Sequence, residues 1–149
     1  MKKDTFIPDG FCGLFCASCA NYMASEKGDP KAVGASLCHG CKSDKKDSDL
    51  WCANCTLKAC ALKKGVSFCY ECDEFPCNQL EGFKNDPNFP YHLEVYDYMQ
   101  MIKTEGKDKW LKEMKKRWSC PSCGTAFDWW TTTCTNCGVK TDGYVNPNV

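Results

Sequence analysis

A small metal-stabilised α+β fold is the class this sequence predicts: short helices and irregular cysteine-rich loops, a central helical segment, and a C-terminal β zinc ribbon. Three observations predict it. Cysteine supplies 15 of the 149 residues. Leu, Ile, Val and Phe together number 24, about 16% of the chain, where roughly 20% normally supports a core. The 19 basic residues balance 19 acidic ones, so the charge excess typical of disordered chains is missing. Something other than burial orders this chain.

Disulfides or metal can do so. The opening MKKDTFIPDG has two lysines with no apolar stretch after them, so neither a secretory signal nor a membrane span is read here, and a reducing cytoplasm is the expected compartment. There thiols stay reduced and bind metal. The odd cysteine count also fits poorly with complete internal pairing. Structural zinc supplies about 10 to 16 kcal/mol of apparent folding energy per site, so two or three sites offset a thin core. Several zinc ions per chain are expected, with an iron–sulfur cluster as the alternative.

The cysteines divide the chain. Residues 1–118 read as a cysteine-rich metal-binding domain that includes a helical segment at 91–118, and residues 119–149 as a zinc ribbon. The first motif, CGLFCASC, places Cys12, Cys16 and Cys19 at C-x3-C-x2-C, the spacing by which radical S-adenosylmethionine enzymes hold an open iron–sulfur cluster. Their barrel needs roughly 200 residues or more, longer than this chain. The following ANYMASEKG has helix formers and a stop, so a helix is expected from within the motif to about Lys27. Were all eight motif residues helical, Cys12 and Cys19 would lie about 10.5 Å apart along the axis, whereas two thiolates on one zinc are at most about 4.6 Å apart. Either Cys12-Gly13 turns back over the helix start, or the triplet serves two sites.

Cys38 and Cys41 in CHGC precede Cys52 and Cys55 in CANC by ten residues. A four-thiolate site is the simplest assignment for them. Cys60, Cys69, Cys72 and Cys77 can close another, with Pro76 keeping Phe75 extended so that the chain turns back at Cys77. That leaves Cys12, Cys16 and Cys19 as metal ligands whose partners are unresolved. His39 sits inside the CHGC turn and is expected to face solvent; His92 is read as a packed or exposed histidine.

In FPYHLEVYDYMQMIKTEG, Leu93, Tyr96, Met99 and Ile102 recur near helical spacing, and Gly106 is a stop. DKWLKEMKKRW then reads as a helix capped by Asp108 that buries Trp110, Leu111, Met114 and Trp118. Between Lys103 and Arg117 basic residues outnumber acidic ones, seven to three. Beside a ribbon with exposed aromatics this admits nucleic-acid binding as an alternative, although the interleaved acids suit an ordinary solvated face.

The ribbon is the strongest local signal. CPSCGTAFDWWTTTCTNCG sets two CxxC pairs ten residues apart, each followed by glycine. Gly124 and Gly138 tolerate the positive φ that metal knuckles need, and TAFDWWTTT reads as a short strand pair. Cys120, Cys123, Cys134 and Cys137 are therefore expected to hold one tetrahedral zinc.

CGLFCASCANY, CHGC, WCANCTLKACALKKGVSFCYECDEFPC and KRWSCPSCG, taken in order, resemble the cysteine-rich bacterial and archaeal proteins grouped as domain of unknown function 3795, over about residues 10–124. The resemblance implies a small cytoplasmic protein presumed to bind zinc through its cysteines, with no established activity. It places Cys12, Cys16, Cys19, Cys38, Cys41, Cys55, Cys60, Cys69, Cys72 and Cys77 in the family's cysteine pattern. The terminal segment resembles an appended rubredoxin-like zinc ribbon with a shorter loop. No motif sets a base beside a nucleophile, so the reading leans away from an enzyme. It favours a non-enzymatic multi-zinc protein that binds a protein partner or regulates. Its alternatives are an iron–sulfur redox accessory protein and a nucleic-acid-binding ribbon; no membrane association is expected.

Overall fold

A computed structural model describes residues 6–148. Among the described residues, five α-helices carry the fold: α1 (Ala20–Glu26), α2 (Thr56–Lys64), α3 (Asn78–Lys84), α4 (Val95–Glu105) and α5 (Lys107–Arg117), with 3-10 turns at Cys16–Ser18, Pro30–Val33, Trp51–Asn54, Cys69–Glu71 and Pro90–Glu94. None of the described helices is long and apolar enough to cross a membrane.

The expected α+β class and its C-terminal β ribbon are not what the chain forms. Among the described residues there are only isolated bridges: Asp9 with Phe15, Cys38 with Lys46, Ser119 with Ala126, and Thr133 with Lys140. The reason lies in where TAFDWWTTT sends its polar and aromatic groups. The Asp128 carboxylate accepts from Trp130 N (2.9 Å) and Thr131 Oγ1 (2.8 Å), a local turn that competes with a ladder. The bond from Phe127 N to Trp118 O belongs to the single Ser119–Ala126 bridge, and two residues on Trp129 N leaves that pairing for Ser18 O, in the helical body. The Trp129 ring stacks on Tyr91 with centroids 4.0 Å apart, and Phe127 meets Trp118 edge-on. Tertiary packing thus overrides the strand propensity of this segment.

The helical segment forms near its expected place, with its buried face shifted. Leu93 is exposed and Tyr96 only half-buried, while Val95, Tyr98, Met99 and Ile102 go inside. Pro90–Glu94 is a 3-10 turn, so its three-residue repeat puts Leu93 out of phase with the α-helix that follows. Gly106 (φ 90°) both ends α4 and caps α5, displacing the expected Asp108 cap into the first turn. From α5, Trp110 and Met114 are buried, Trp118 just beyond its end is too, and Leu111 is half-buried. Together with Phe15, Phe68, Leu80, Phe127 and Trp129 these side chains form one core.

Glu94 ties the terminal segment to this core. Its carboxylate accepts from Tyr98 and Tyr144 hydroxyls and from Arg117 Nη2 at 2.8 Å. Burial pushes this carboxyl up, but the hydrogen bonds from Arg117, Tyr144 and Tyr98 outweigh it and hold it below the usual glutamate range. At the other end, the Asp9 carboxylate is almost fully buried and pairs with Lys42 at 2.7 Å, and Lys42 Nζ sits 3.8 Å from the Phe68 ring centroid. That pair pins the CHGC loop against the turn before Cys12.

Candidate metal centres

The C-terminal quartet is the tightest constellation. Sulfurs of Cys120, Cys123, Cys134 and Cys137 all lie within 4.8 Å of one another. Cys120 and Cys137 sulfurs are 3.5 Å apart, and those of Cys123 and Cys134 3.6 Å. Four thiolates around one zinc at 2.3 Å stand roughly 3.8 Å apart at the tetrahedral angle, so the quartet's spacing suits one ion.

Two equivalent knuckles build it. In each, the glycine after the second cysteine donates its N–H to the first cysteine's carbonyl: Gly124 to Cys120 (2.9 Å) and Gly138 to Cys134 (3.0 Å). The φ values of 78° and 82° at these glycines are the left-handed turn that ordinary side chains resist. The turn aims backbone N–H groups at sulfur. Ser122 and Cys123 donate to Cys120, and Asn136 and Cys137 donate to Cys134, at 3.4–3.5 Å. The Asn136 side chain donates to Cys123 at 3.4 Å, and Thr125 Oγ1 stands 3.1 Å from the same sulfur. As a free thiol Cys123 is pulled down to about 5 by these Asn136 and Thr125 hydrogen bonds, and Cys120 is lowered by the Cys123 N–H. Cys137 goes the other way, to about 11: the Val139 N–H favours its thiolate, but desolvation and the neighbouring Cys120, Cys123 and Cys134 outweigh it. A cation is therefore needed to hold all four sulfurs as thiolates.

The N-terminal cysteines are arranged differently. Cys12, Cys16, Cys19, Cys38, Cys41, Cys52 and Cys55 line one cavity of about 260 Å3. The opening triplet and the two CxxC pairs thus share a single space. Gly13 (φ 92°) makes the turn that brings Cys12 back, with its N–H on Gly10 O. Cys16 lies in the 3-10 turn and Cys19 caps α1. Cys38 N is held by Ser25 Oγ at 2.9 Å, and Cys55 caps α2. Among the described residues, no three of these sulfurs approach one another as closely as the terminal quartet does.

Cys60, Cys69, Cys72 and Cys77 line a separate apolar cavity of about 20 Å3 with Leu57, Ala61 and Phe75. That volume is close to one water-sized sphere. Cys72 accepts from Glu74 N at 3.4 Å.

As free thiols most of these groups resist ionisation. Burial, with Cys41 nearby, pushes Cys12 and Cys16 well above the ordinary thiol value. Burial likewise raises Cys19 to about 11 and Cys69 to about 12. Cys38 goes the other way, down to about 6, through its hydrogen bond with Cys52. Thiolates packed this densely need a cation to compensate them.

Neither histidine is a free solvent group. His39, expected to face water, is half-buried and stacks on Phe6 with centroids 3.7 Å apart. His92 is buried, stacked on Phe83, with Nδ1 2.8 Å from the Phe83 carbonyl oxygen. Sequence reasoning also missed Asn136, Thr125 and the aromatic residues Phe83, Phe89, Tyr91 and Trp129 that line the large cavity. Asn136 and Thr125 were findable as polar residues inside or just after a CxxCG; the aromatics were not, because they come from distant segments.

These features define a cysteine-rich helical protein with a four-thiolate site suited to one metal ion. Residues 9–82 match the family described as protein of unknown function (DUF3795), the family that the cysteine spacings resemble. The matched stretch holds all eleven N-terminal cysteines and stops short of the terminal quartet. No curated protein and no solved structure matches the chain.

Proposed function

We propose that this is a non-enzymatic metal-binding module in which thiolate-bound metal orders a surface for a protein partner. One zinc occupies the terminal quartet, and the eleven N-terminal cysteines ligate further metal. The observation that carries the reading is the mutual approach of Cys120, Cys123, Cys134 and Cys137 to within 4.8 Å, with backbone N–H groups already pointed at two of the sulfurs. Four protein thiolates leave zinc no open position, which suits structure rather than catalysis. Cys60, Cys69, Cys72 and Cys77 line one small cavity of about 20 Å3, which supports them as further ligands, although among the described residues their sulfurs are not gathered as the terminal four are.

Elemental analysis of the full-length protein tests this. Cys120→Ser combined with Cys134→Ser should lower bound zinc by one per chain. Cobalt added to the metal-stripped protein should show the bands of a tetrahedral four-thiolate complex. Zinc content unchanged by the double substitution would overturn the assignment.

A further inference from the structure

Seven cysteines line the large cavity beside aromatic and aliphatic side chains, and it offers more room than one ion fills. Their cavity is about 260 Å3, against about 20 Å3 for the Cys60 quartet. A lone zinc must draw its thiolates to within about 4.6 Å of each other, which no three of the seven sulfurs meet among the described residues. Their backbone is tied where it stands. Cys16 N donates to Pro8 O at 2.7 Å, Cys38 N to Ser25 Oγ at 2.9 Å, and the Asp9–Lys42 pair locks the loop carrying Cys41. Gly10 passes so near that an added Cβ would lie 3.3 Å from Cys16 Sγ and 3.6 Å from Cys41 Cβ.

We propose that this cavity is an iron–sulfur site, its cluster held by thiolates of the seven-cysteine ring. In a sulfide-bridged cluster the protein thiolates are shared among several irons, so they need not all converge on one point as they must around a lone ion. Seven thiols around one cavity of about 260 Å3, with no three of their sulfurs gathered as the terminal four are among the described residues, suit a cluster better than a lone ion. Donor chemistry agrees, since the metal-ligating groups at the cavity are thiols with His92 the lone imidazole. Phe89, Tyr91 and Trp129 line it as well, an apolar wall of the kind that keeps water from a cluster and sets its potential. The chemical class of cofactor is therefore sulfide-bridged iron, spatially separate from the zinc quartet. The inference rests on the reading of the N-terminal cysteines as metal ligands.

The test is the metal and sulfide content of the full-length protein, purified without oxygen from iron-replete cells. Iron and acid-labile sulfide in equal amounts, with a broad visible absorption that dithionite bleaches, is the expected result. Cys16→Ser with Cys41→Ser should abolish that iron, and Cys120→Ser with Cys134→Ser should leave it while removing one zinc. Zinc in the N-terminal sites with neither iron nor sulfide would overturn the inference and leave the metal-binding reading standing. No metal beyond the terminal quartet would overturn both. Because the unsubstituted protein decides the matter, a variant that fails to fold leaves the test intact.

Discussion

Two regions of this molecule share a spacing and differ in outcome. Cys38, Cys41, Cys52 and Cys55 form two CxxC pairs separated by ten residues, as do Cys120, Cys123, Cys134 and Cys137. In the second region the four sulfurs converge; in the first they join three more around a cavity. The difference lies in the residue after each pair. Gly124 and Gly138 turn the chain back so that its N–H returns to the knuckle's first carbonyl. Cys41 is followed by Lys42, which is drawn to Asp9, and Cys55 by Thr56, which starts α2. Gly40 lies inside its pair and serves another contact, packing against the Ile7 carbonyl. Ligand spacing sets what can meet; the turn after the ligand sets whether it does.

The largest effect that breaks this comparison is removal of metal from the convergent quartet. Cys120→Ser should cost most of that site's apparent binding energy, on the order of 10 kcal/mol, read as loss of ordered signals for residues 119–148 in NMR. Spectra of α1 and α2 should persist.

Next is the buried ion pair that holds the open region. Asp9→Asn strands Lys42 without its partner and should cost about 3 to 5 kcal/mol, measured by urea unfolding of the metal-loaded protein. Loss below about 0.5 kcal/mol, the scale of an exposed pair, would show that the Lys42 charge is satisfied elsewhere.

Glycine substitutions sharpen the contrast. Gly124→Ala meets nothing within 4 Å and bears only the cost of its φ of 78°, about 1 to 2 kcal/mol. Gly40→Ala adds a Cβ that would sit 2.1 Å from Ile7 O at a φ of 114°, so it should cost more, about 3 kcal/mol. Thermal unfolding of both variants ranks them, and the reverse order would contradict the packing described.

The smallest effect concerns Glu94, which joins the terminal segment to α4 and α5. Its folded-state pKa is depressed, so its contribution is present above the unfolded value of about 4.3 and is lost as pH falls through the folded value. Glu94→Gln should destabilise by about 1 to 2 kcal/mol near neutrality. The gap to the unsubstituted protein should close as pH falls below about 4.3 and through the lower folded value.

Much of this was legible in the sequence. Helix stops follow from local chemistry: the first helix ends near Lys27, Gly106 ends α4, and Trp110 and Met114 are core as the pattern predicts. Helix starts did not: α1 starts at Ala20, after the motif expected to begin it, and Gly106 rather than Asp108 caps α5. The buried face of α4 did not, because a 3-10 turn ahead of it changes the repeat from 3.6 to 3. TAFDWWTTT was misread for a related reason. Its β-branched and aromatic residues suit a strand, but Trp129 finds Tyr91 and Ser18, far away in the chain, and the segment follows them.

The sequence by itself determined that thiols would dominate this protein, where its helices stop, and that each terminal knuckle would turn at a glycine. Those are local properties, fixed by composition and by the φ a residue tolerates. Only the tertiary structure decided which cysteines share a space and how wide that space is. Sulfur-to-sulfur distance depends on contacts between residues far apart in the chain, such as Asp9 with Lys42 and Ser25 with Cys38. Burial and long-range pairing, which no local spacing encodes, separate a ring of seven thiols from a closed set of four.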